Sequence, residues 1–420
     1  MNILFLTNPS YGCYGYSVVV KNVAKGLREA GHNVMVIGTV TAGNLIKDEH
    51  GTPNIPAYYD AYAKDALRYY IKGLDIDCVV TILDCWTPDS YDIPDIVHDF
   101  KIPIIAHVTA RSTPQSPWWS TYLVKCDHVV APSWFGLGTV REIEDFKEKS
   151  SYIQHGVDLS VYKPDKKARD DMRKMLGYED KFVFLAVGRN KGIQKRYDIL
   201  FKAYKTLLTN FPEAKGKTVL HVHANPHESN AIDLEQMRNM GYHDIGVNHI
   251  KFSKMKFDGK KLVLCKNDDP NAMLLNPNWG LDEIEMAKLY NMADCHIQSG
   301  EGESFCLPQM ESQACGIPQI FPDHSVGPEM IGAPKSGLLV RIATEETTPI
   351  LTDVALADPL DMGKCMMRMY VDKAFRKECS RNALENAKNY GWEDVVKKWL
   401  FILEKVTEPK LNFQTGEMGF

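Results

Sequence analysis

The sequence predicts an α/β protein of two Rossmann-like, doubly wound domains facing each other across a cleft. Three observations predict it. The chain has 420 residues, more than one ordinary core accommodates, so two domains are the natural division. Short apolar runs alternate with segments whose apolar residues recur every three or four positions, the patterns of strands and helices in turn. The alternation breaks at Tyr162-Lys163-Pro164-Asp165 and the charged stretch KKARDDMRK, then restarts. Alternation of this kind implies parallel sheets covered by helices on both faces, with ligands at the carboxyl ends of the strands.

The first strand runs from Asn2 to Leu6. The start, MNILFLTNPS, has no basic region followed by a long apolar stretch, so it reads as that strand and not as a secretory leader. TNPSYGCYGYS is a glycine-bearing turn, after which Val19, Val20, Val23, Ala24 and Leu27 mark a helix that ends at Gly31. Further strands are expected at Asn33 to Ile37, Cys78 to Ile82, Ile102 to His107 and His128 to Ala131. After the break come Phe182 to Val187, Val219 to Val222, Ile250 to Phe252, Leu262 to Leu264 and Cys295 to Gln298. Residues 253–280, with NDDPNAMLLNPNW, read as an insertion or mobile loop, and GWEDVVKKWLFILEKV as an amphipathic final helix. The expected division is 1–164 and 165–386 for the two domains, 387–406 for the last helix and 407–420 for a tail.

Composition narrows the partners. With 44% hydrophobic and 25% charged residues the chain reads as soluble and globular, and no run reaches the ~20 apolar residues of a membrane span. Ten cysteines lie scattered without metal-ligand spacing, several inside apolar runs, which points to a reducing cytoplasm. Residues 1–165 carry 14 basic and 19 acidic side chains, so the whole net charge of −5 lies there. An acidic half disfavours docking on anionic lipid or nucleic acid without excluding a local basic patch.

The segment GEGESFCLPQMESQACGIPQI, Gly300 to Ile320, carries the chemistry. Pro308 suits the first turn of a helix and Gly316 its end, which puts Glu303 in the preceding loop and Glu311 one turn in. A helix N-terminus attracts anions, whereas carboxylates accept hydroxyl donors. The pair therefore suggests a ligand that is part phosphate and part polyol.

ESFCLPQME resembles the E-G-F-G-L-P-x-x-E form of the E-x7-E signature of retaining glycosyltransferases of family 4, which have the GT-B fold. Ser304 and Cys306 stand in place of two glycines, and Glu301 offers a second register; only Glu303 keeps seven residues before Glu311. VGRNKGIQKRYDIL is similar to the family's G-R…K-G-x-D-x-L segment. Arg189 and Lys195 match its cations, Lys191 is the competing lysine, and Arg196 replaces a glycine as a third charge or a solvent-facing one.

The resemblance implies transfer of a sugar from a nucleoside-diphosphate sugar to a hydroxyl acceptor with retention and without a metal. Glu311 would hold the ribose, Glu303 the donor sugar, and Arg189 and Lys195 the departing diphosphate. Gly15 and the loop residues Ser304, Phe305, Cys306 and Leu307 would line the donor, with His107, at the end of IPIIAH, facing its sugar. No cofactor is implied: the nucleotide sugar is the substrate, a UDP-sugar as first choice and a GDP-sugar as second. Trp118 and Trp119, in SPWWSTYL, are acceptor-side candidates because aromatic faces stack on sugars. HGVD, His155 to Asp158, matches the family's N-G-V-D and reads as a domain-closing turn. Glu283 and Glu285 read as solvated helix-face charges. Asp75 and Asp77, like Asp268 and Asp269, lack partners at ligand spacing. A nucleotide-sugar 2-epimerase of the same fold and a non-catalytic nucleotide- or sugar-binding protein are the alternatives.

Overall fold

The computed structural model describes residues 1–408 apart from 40, 59, 85–86, 242–248, 267 and 276–279. The expected tail lies outside the described residues beyond Glu408. The first half builds β1 (Asn2–Thr7), α1 (Gly15–Glu29), β2 (Asn33–Gly38), β3 (Ile46–Lys47), β4 (Pro53–Pro56), α2 (Lys64–Gly73) and β5 (Cys78–Ile82). It continues with α3 (Ile93–His98), β6 (Ile104–His107), α4 (Pro117–Leu123), β7 (His128–Ala131), α5 (Trp134–Val140) and β8 (Ser150–Tyr152). These eight strands form one sheet in the order β3-β4-β2-β1-β5-β6-β7-β8, parallel except for the β3–β4 edge.

The second half opens on α6 (Lys166–Leu176), whose N-terminus is capped by the Asp165 carboxylate. β9 (Phe182–Val187), α7 (Tyr197–Asn210), β10 (Thr218–His223), α8 (Leu234–Gly241) and β11 (Ile250–Phe252) follow. Every residue of β9 is buried, as a strand covered on both faces requires. Next come β12 (Lys254–Phe257), β13 (Leu262–Cys265), β14 (Met273–Leu274), α9 (Glu283–Asn291), β15 (Cys295–Ile297), α10 (Leu307–Ala314), β16 (Gln319–Pro322) and β17 (Gly337–Val340). The second sheet has six parallel strands in the order β11-β10-β9-β15-β16-β17. β18 (Ile342–Thr347) and β19 (Asp353–Ala357) form an antiparallel pair, followed by α11 (Pro359–Val371), α12 (Lys373–Ala387) and α13 (Trp392–Thr407).

The order reverses between β1 and β5 in one sheet and between β9 and β15 in the other. Such switch points open a crevice at the carboxyl ends of the strands, and the loops that leave β1, β9 and β15 all emerge there.

Two expectations need correction. Residues 253–280 are not an irregular insertion: β12, β13 and β14 make a small antiparallel sheet in the order β13-β12-β14. Leu262–Leu264 accordingly pairs with β12 and not with the parallel sheet. The cause is the tight turn at Asp258-Gly259, where Gly259 takes φ +100° and brings the hairpin strands together. Met255 and Leu264, directly opposite each other, are the side of that sheet that joins the second-half core.

α13 lies against the first sheet. Val395, Trp399, Ile402 and Leu403 join β1, β5 and α1 in one apolar cluster, and a Cβ at Gly26 would come within 2.3 Å of Val396. The last described helix thus completes the core of the half that the chain began with. Trp399 is 1% exposed and stands edge-on to Phe5. Trp399→Ala is expected to cost about 3–5 kcal/mol in urea unfolding; a loss below about 1 kcal/mol would show that α13 merely rests on the sheet.

Candidate active site

The loops at the second switch point are held to each other. Lys195, in the loop after β9, forms an ion pair with Glu303, in the loop after β15. Gln298 Nε2 donates to the same Glu303 oxygen at 3.2 Å, and the Glu303 N–H donates to Ser325 Oγ at 3.0 Å. Ser299 Oγ donates to the Lys195 carbonyl at 2.9 Å, and the Glu301 N–H to the Gln194 carbonyl at 3.1 Å. Burial opposes the lysine's charge, but the Glu303 carboxylate outweighs it and raises the ammonium pKa. Lys191, the competing lysine, is exposed, so the structure pairs Lys195 with the glutamate loop.

The two candidate registers separate in space. Glu303 faces Lys195, while Glu301 turns to the other half and meets Arg111 Nη1 at 2.8 Å. Gly302 between them approaches so closely that a Cβ there would lie 2.3 Å from the Arg111 carbonyl. Glu301 is 6% exposed and is a cross-domain contact, not a surface charge.

Arg189, at the end of β9, pairs with Glu228 from the loop after β10. Its guanidinium lies 5.5 Å from the ring of Tyr14, in the glycine loop of the first half. Gly15 follows as the first residue of α1, and a Cβ there would meet Leu307 at 3.9 Å, so glycine loop and glutamate loop face each other.

Glu311 sits in the second turn of α10 and accepts a hydrogen bond from Tyr290 Oη at 2.6 Å. Burial, with the Glu283 carboxylate adding to it, pushes its pKa up to about 7 against the pull of Tyr290 and Tyr162. Glu283 is not a solvated charge: it receives Lys21 of α1 at 3.2 Å across the domains. Nor is Glu285, which is 4% exposed and bound by Lys288 at 2.7 Å.

Several expected roles change. His107 does not face an open cleft: it is 2% exposed, with its Nε2 3.1 Å from His155 Nε2 and its ring stacked on Trp399. Burial lowers its pKa to about 4, so it is a neutral ring inside the packing beneath α13. Phe305 is likewise interior, 2% exposed against His155 and Tyr390, so its side chain lines a core and not the donor. Arg196 is neither a third site charge nor solvent-facing, because its guanidinium forks onto Asp198 with two contacts of 3.1 Å. Cys306 is 7% exposed, its thiol donating to Gln309 Oε1 at 3.3 Å, and Ser304 is half-buried. Trp118 is 43% exposed on α4, whereas Trp119 packs against the first-half core. Gly156 of the HGVD turn abuts Trp392, and the Val157 N–H donates to the Tyr390 carbonyl at 2.7 Å, which ties this turn to the start of α13. Among the described residues no group of three or more His, Cys, Asp or Glu could hold a metal, and no helix is long and apolar enough to cross a membrane.

Arg111, Glu228 and the Lys21–Glu283 bridge escaped the sequence reading. Their partners lie 190, 39 and 262 positions away, where no local spacing signals a contact.

Residues 14–161 match the family model described as Glycosyltransferase Family 4, and residues 279–348 the one described as Glycosyl transferases group 1. The chain belongs with the family 4-type glycosyltransferases. Among curated relatives of this type, a D-inositol 3-phosphate glycosyltransferase of Nocardioides sp. is 25% identical over 254 residues, 60% of this chain and 48% of the relative. The match thus spans about half the length of that relative. Among solved structures, sucrose-phosphate synthase from Thermosynechococcus elongatus superposes with a TM-score of 0.72 at 16% identity, covering 96% of this chain and 99% of that one. HepE of Anabaena in complex with UDP gives a TM-score of 0.70 at 15% identity, over 96% of this chain and all of the other; it is also solved with UDP-glucose. At these identities the structures establish a shared GT-B fold.

The raised pKa of Glu311 has a consequence for stability. Folding holds the proton more tightly than the unfolded chain, whose carboxyl titrates near 4.5. Below that value both states are protonated and the burial costs nothing. Stability then falls as pH rises to about 7, and the full cost stands above it. Relative to wild type, Glu311→Gln should gain about 1–3 kcal/mol at pH 8 and little at pH 4.5 in chemical denaturation. A difference independent of pH would show that Glu311 does not titrate abnormally.

Proposed function

We propose that this glycosyltransferase transfers a sugar from a nucleoside-diphosphate sugar, a UDP-sugar first and a GDP-sugar second, to a hydroxyl acceptor with retention at the anomeric carbon. The observation that carries the reading is the largely buried Lys195–Glu303 pair, in the same loops at the switch point as Arg189. A cation next to a carboxylate is the arrangement that a departing diphosphate and a sugar hydroxyl each require. Glu311 accepts the ribose hydroxyls from the first turns of α10, and Leu307 and Gly15 close over the donor from opposite sides.

The positive charge that a metal would otherwise supply to the leaving group comes from Arg189 and Lys195, so turnover is metal-independent. Retention without a protein nucleophile follows front-face attack, in which the leaving phosphate takes the acceptor proton. The acceptor enters from the first half, where Trp118 offers an exposed aromatic face.

Incubation with UDP- and GDP-sugars and a panel of hydroxyl acceptors, read by NMR of the new anomeric linkage, tests the reading. The expected product keeps the donor's anomeric configuration and forms equally in excess EDTA. Inverted product, or turnover abolished by EDTA and restored by Mg²⁺ or Mn²⁺, would overturn it.

The two glutamates respond differently. A contact made to the sugar in the transition state is lost by Glu303→Gln, which should lower kcat and kcat/KM by similar factors while leaving diphosphate affinity nearly intact. Glu301→Gln instead breaks a cross-domain pair and should raise KM more than it lowers kcat. Exchanged patterns would assign the donor contact to Glu301.

A further inference from the structure

Glu228 lies in the loop after β10, the strand that pairs with β9, and Arg189 lies just past the end of β9. It is 7% exposed, and nothing in the family-type motifs points to it. Its Oε1 accepts from Arg189 Nε, whereas its Oε2 is sealed from solvent and has no hydrogen-bond partner among the described residues. A carboxylate and a guanidinium usually meet by two parallel bonds, and an unpaired buried oxygen is costly. Here the pair is one bond short of that fork.

The shortfall has a geometric meaning. A guanidinium gripped through both Nε and a terminal nitrogen would be turned wholly toward Glu228. Held through Nε alone, Arg189 keeps both terminal nitrogens free of protein hydrogen bonds among the described residues. Its side chain is 48% exposed, and the Tyr14 ring bounds it from the first half of the molecule. The guanidinium is therefore fixed at its root and open at its tip, at the mouth of the cleft.

We propose that Glu228 is a positioning residue of the donor site: it anchors Arg189 through Nε so that the two terminal nitrogens meet the diphosphate. This rests on the donor reading above. Glu228 also balances the arginine's charge before the ligand arrives. Without Arg189 the same carboxylate is an unscreened negative charge beside the diphosphate, so its effect on binding depends on whether the arginine is present.

That dependence supplies the test. Affinities for UDP and GDP are measured by calorimetry or displacement for wild type, Glu228→Gln, Glu228→Ala, Arg189→Ala and both doubles, with thermal unfolding of each. Removing Glu228 leaves Arg189 able to reach water, so the variants are expected to fold. With Arg189 present, Glu228→Ala should weaken the better-bound diphosphate about tenfold. Glu228→Gln, which keeps one acceptor oxygen, should recover part of that loss. In the Arg189→Ala background both substitutions should leave affinity within about twofold or tighten it. Equal losses in both backgrounds, or melting shifts without any change in affinity, would reduce Glu228 to a structural residue and overturn the proposal. Failure of the wild type to bind either diphosphate is a different result, and it would remove the donor reading itself.

Discussion

The arrangement depends on one ion pair, Lys195 with Glu303. Taking an ammonium and a carboxylate out of water is expensive unless each finds the other and the remaining hydrogen-bonding capacity is met. Gln298 meets part of it at the carboxylate, while the Ser299 hydroxyl and the Glu301 N–H donate to the backbone carbonyls of Lys195 and Gln194. In doing so they lace the loop after β9 to the loop after β15. With Glu303 on Lys195, Glu301 meets Arg111 of the first half, and α10 starts where its second turn presents Glu311. The pair thus sets the register of the glutamate loop as well as its charge.

Two side chains on that loop framework occupy backbone conformations that favour glycine. Cys306 has φ +55° and Arg196 φ +47°, at two of the three positions where the family resemblance expects glycine; Ser304, the third, is not in the left-handed region. Both side chains place a Cβ in the left-handed region, which costs about 1–2 kcal/mol. Each has a local partner that offsets the cost. Arg196 forks onto Asp198 at the start of α7, and the Cys306 thiol is seated between Gln298 and Gln309. Sparsely populated conformations persist where the surroundings over-determine them, and here both flank the Lys195–Glu303 pair.

What the sequence made legible follows the same physics. β5, β7 and β9 are largely apolar and wholly buried because both faces of their strands are covered, and their bounds, like those of β11, could be read from the residues. The edge strand β3 and its neighbour β4 could not: Ile46–Lys47 is too short, and Pro53–Pro56 carries prolines that usually argue against a strand. Exposed β18, IATEET, has too little apolar alternation to stand out. In the site, Glu303, Glu311, Arg189 and Lys195 were legible because their spacing within one loop or turn is local chemistry. The burial of His107 was not, because the indole that covers it comes from Trp399, nearly three hundred residues further along the chain.

The charges of the site argue for an order of events. Lys195, Arg189 and Arg111 are each matched by a carboxylate, Glu303, Glu228 and Glu301, before any ligand arrives. On the proposed donor reading, a diphosphate entering this cleft would meet balanced charge and have to compete for the cations. Lys195, with 18% of its side chain exposed and a partner with 12%, is the harder to redirect. Arg189, half-exposed and held by a single nitrogen, can bind phosphate without releasing Glu228. In the proposed reaction the arginine would thus suit the first contact, and the lysine the moment when the breaking glycosidic bond places new negative charge on the phosphate. An interaction that strengthens only as charge develops acts on the transition state more than on the bound donor, which is where it accelerates transfer.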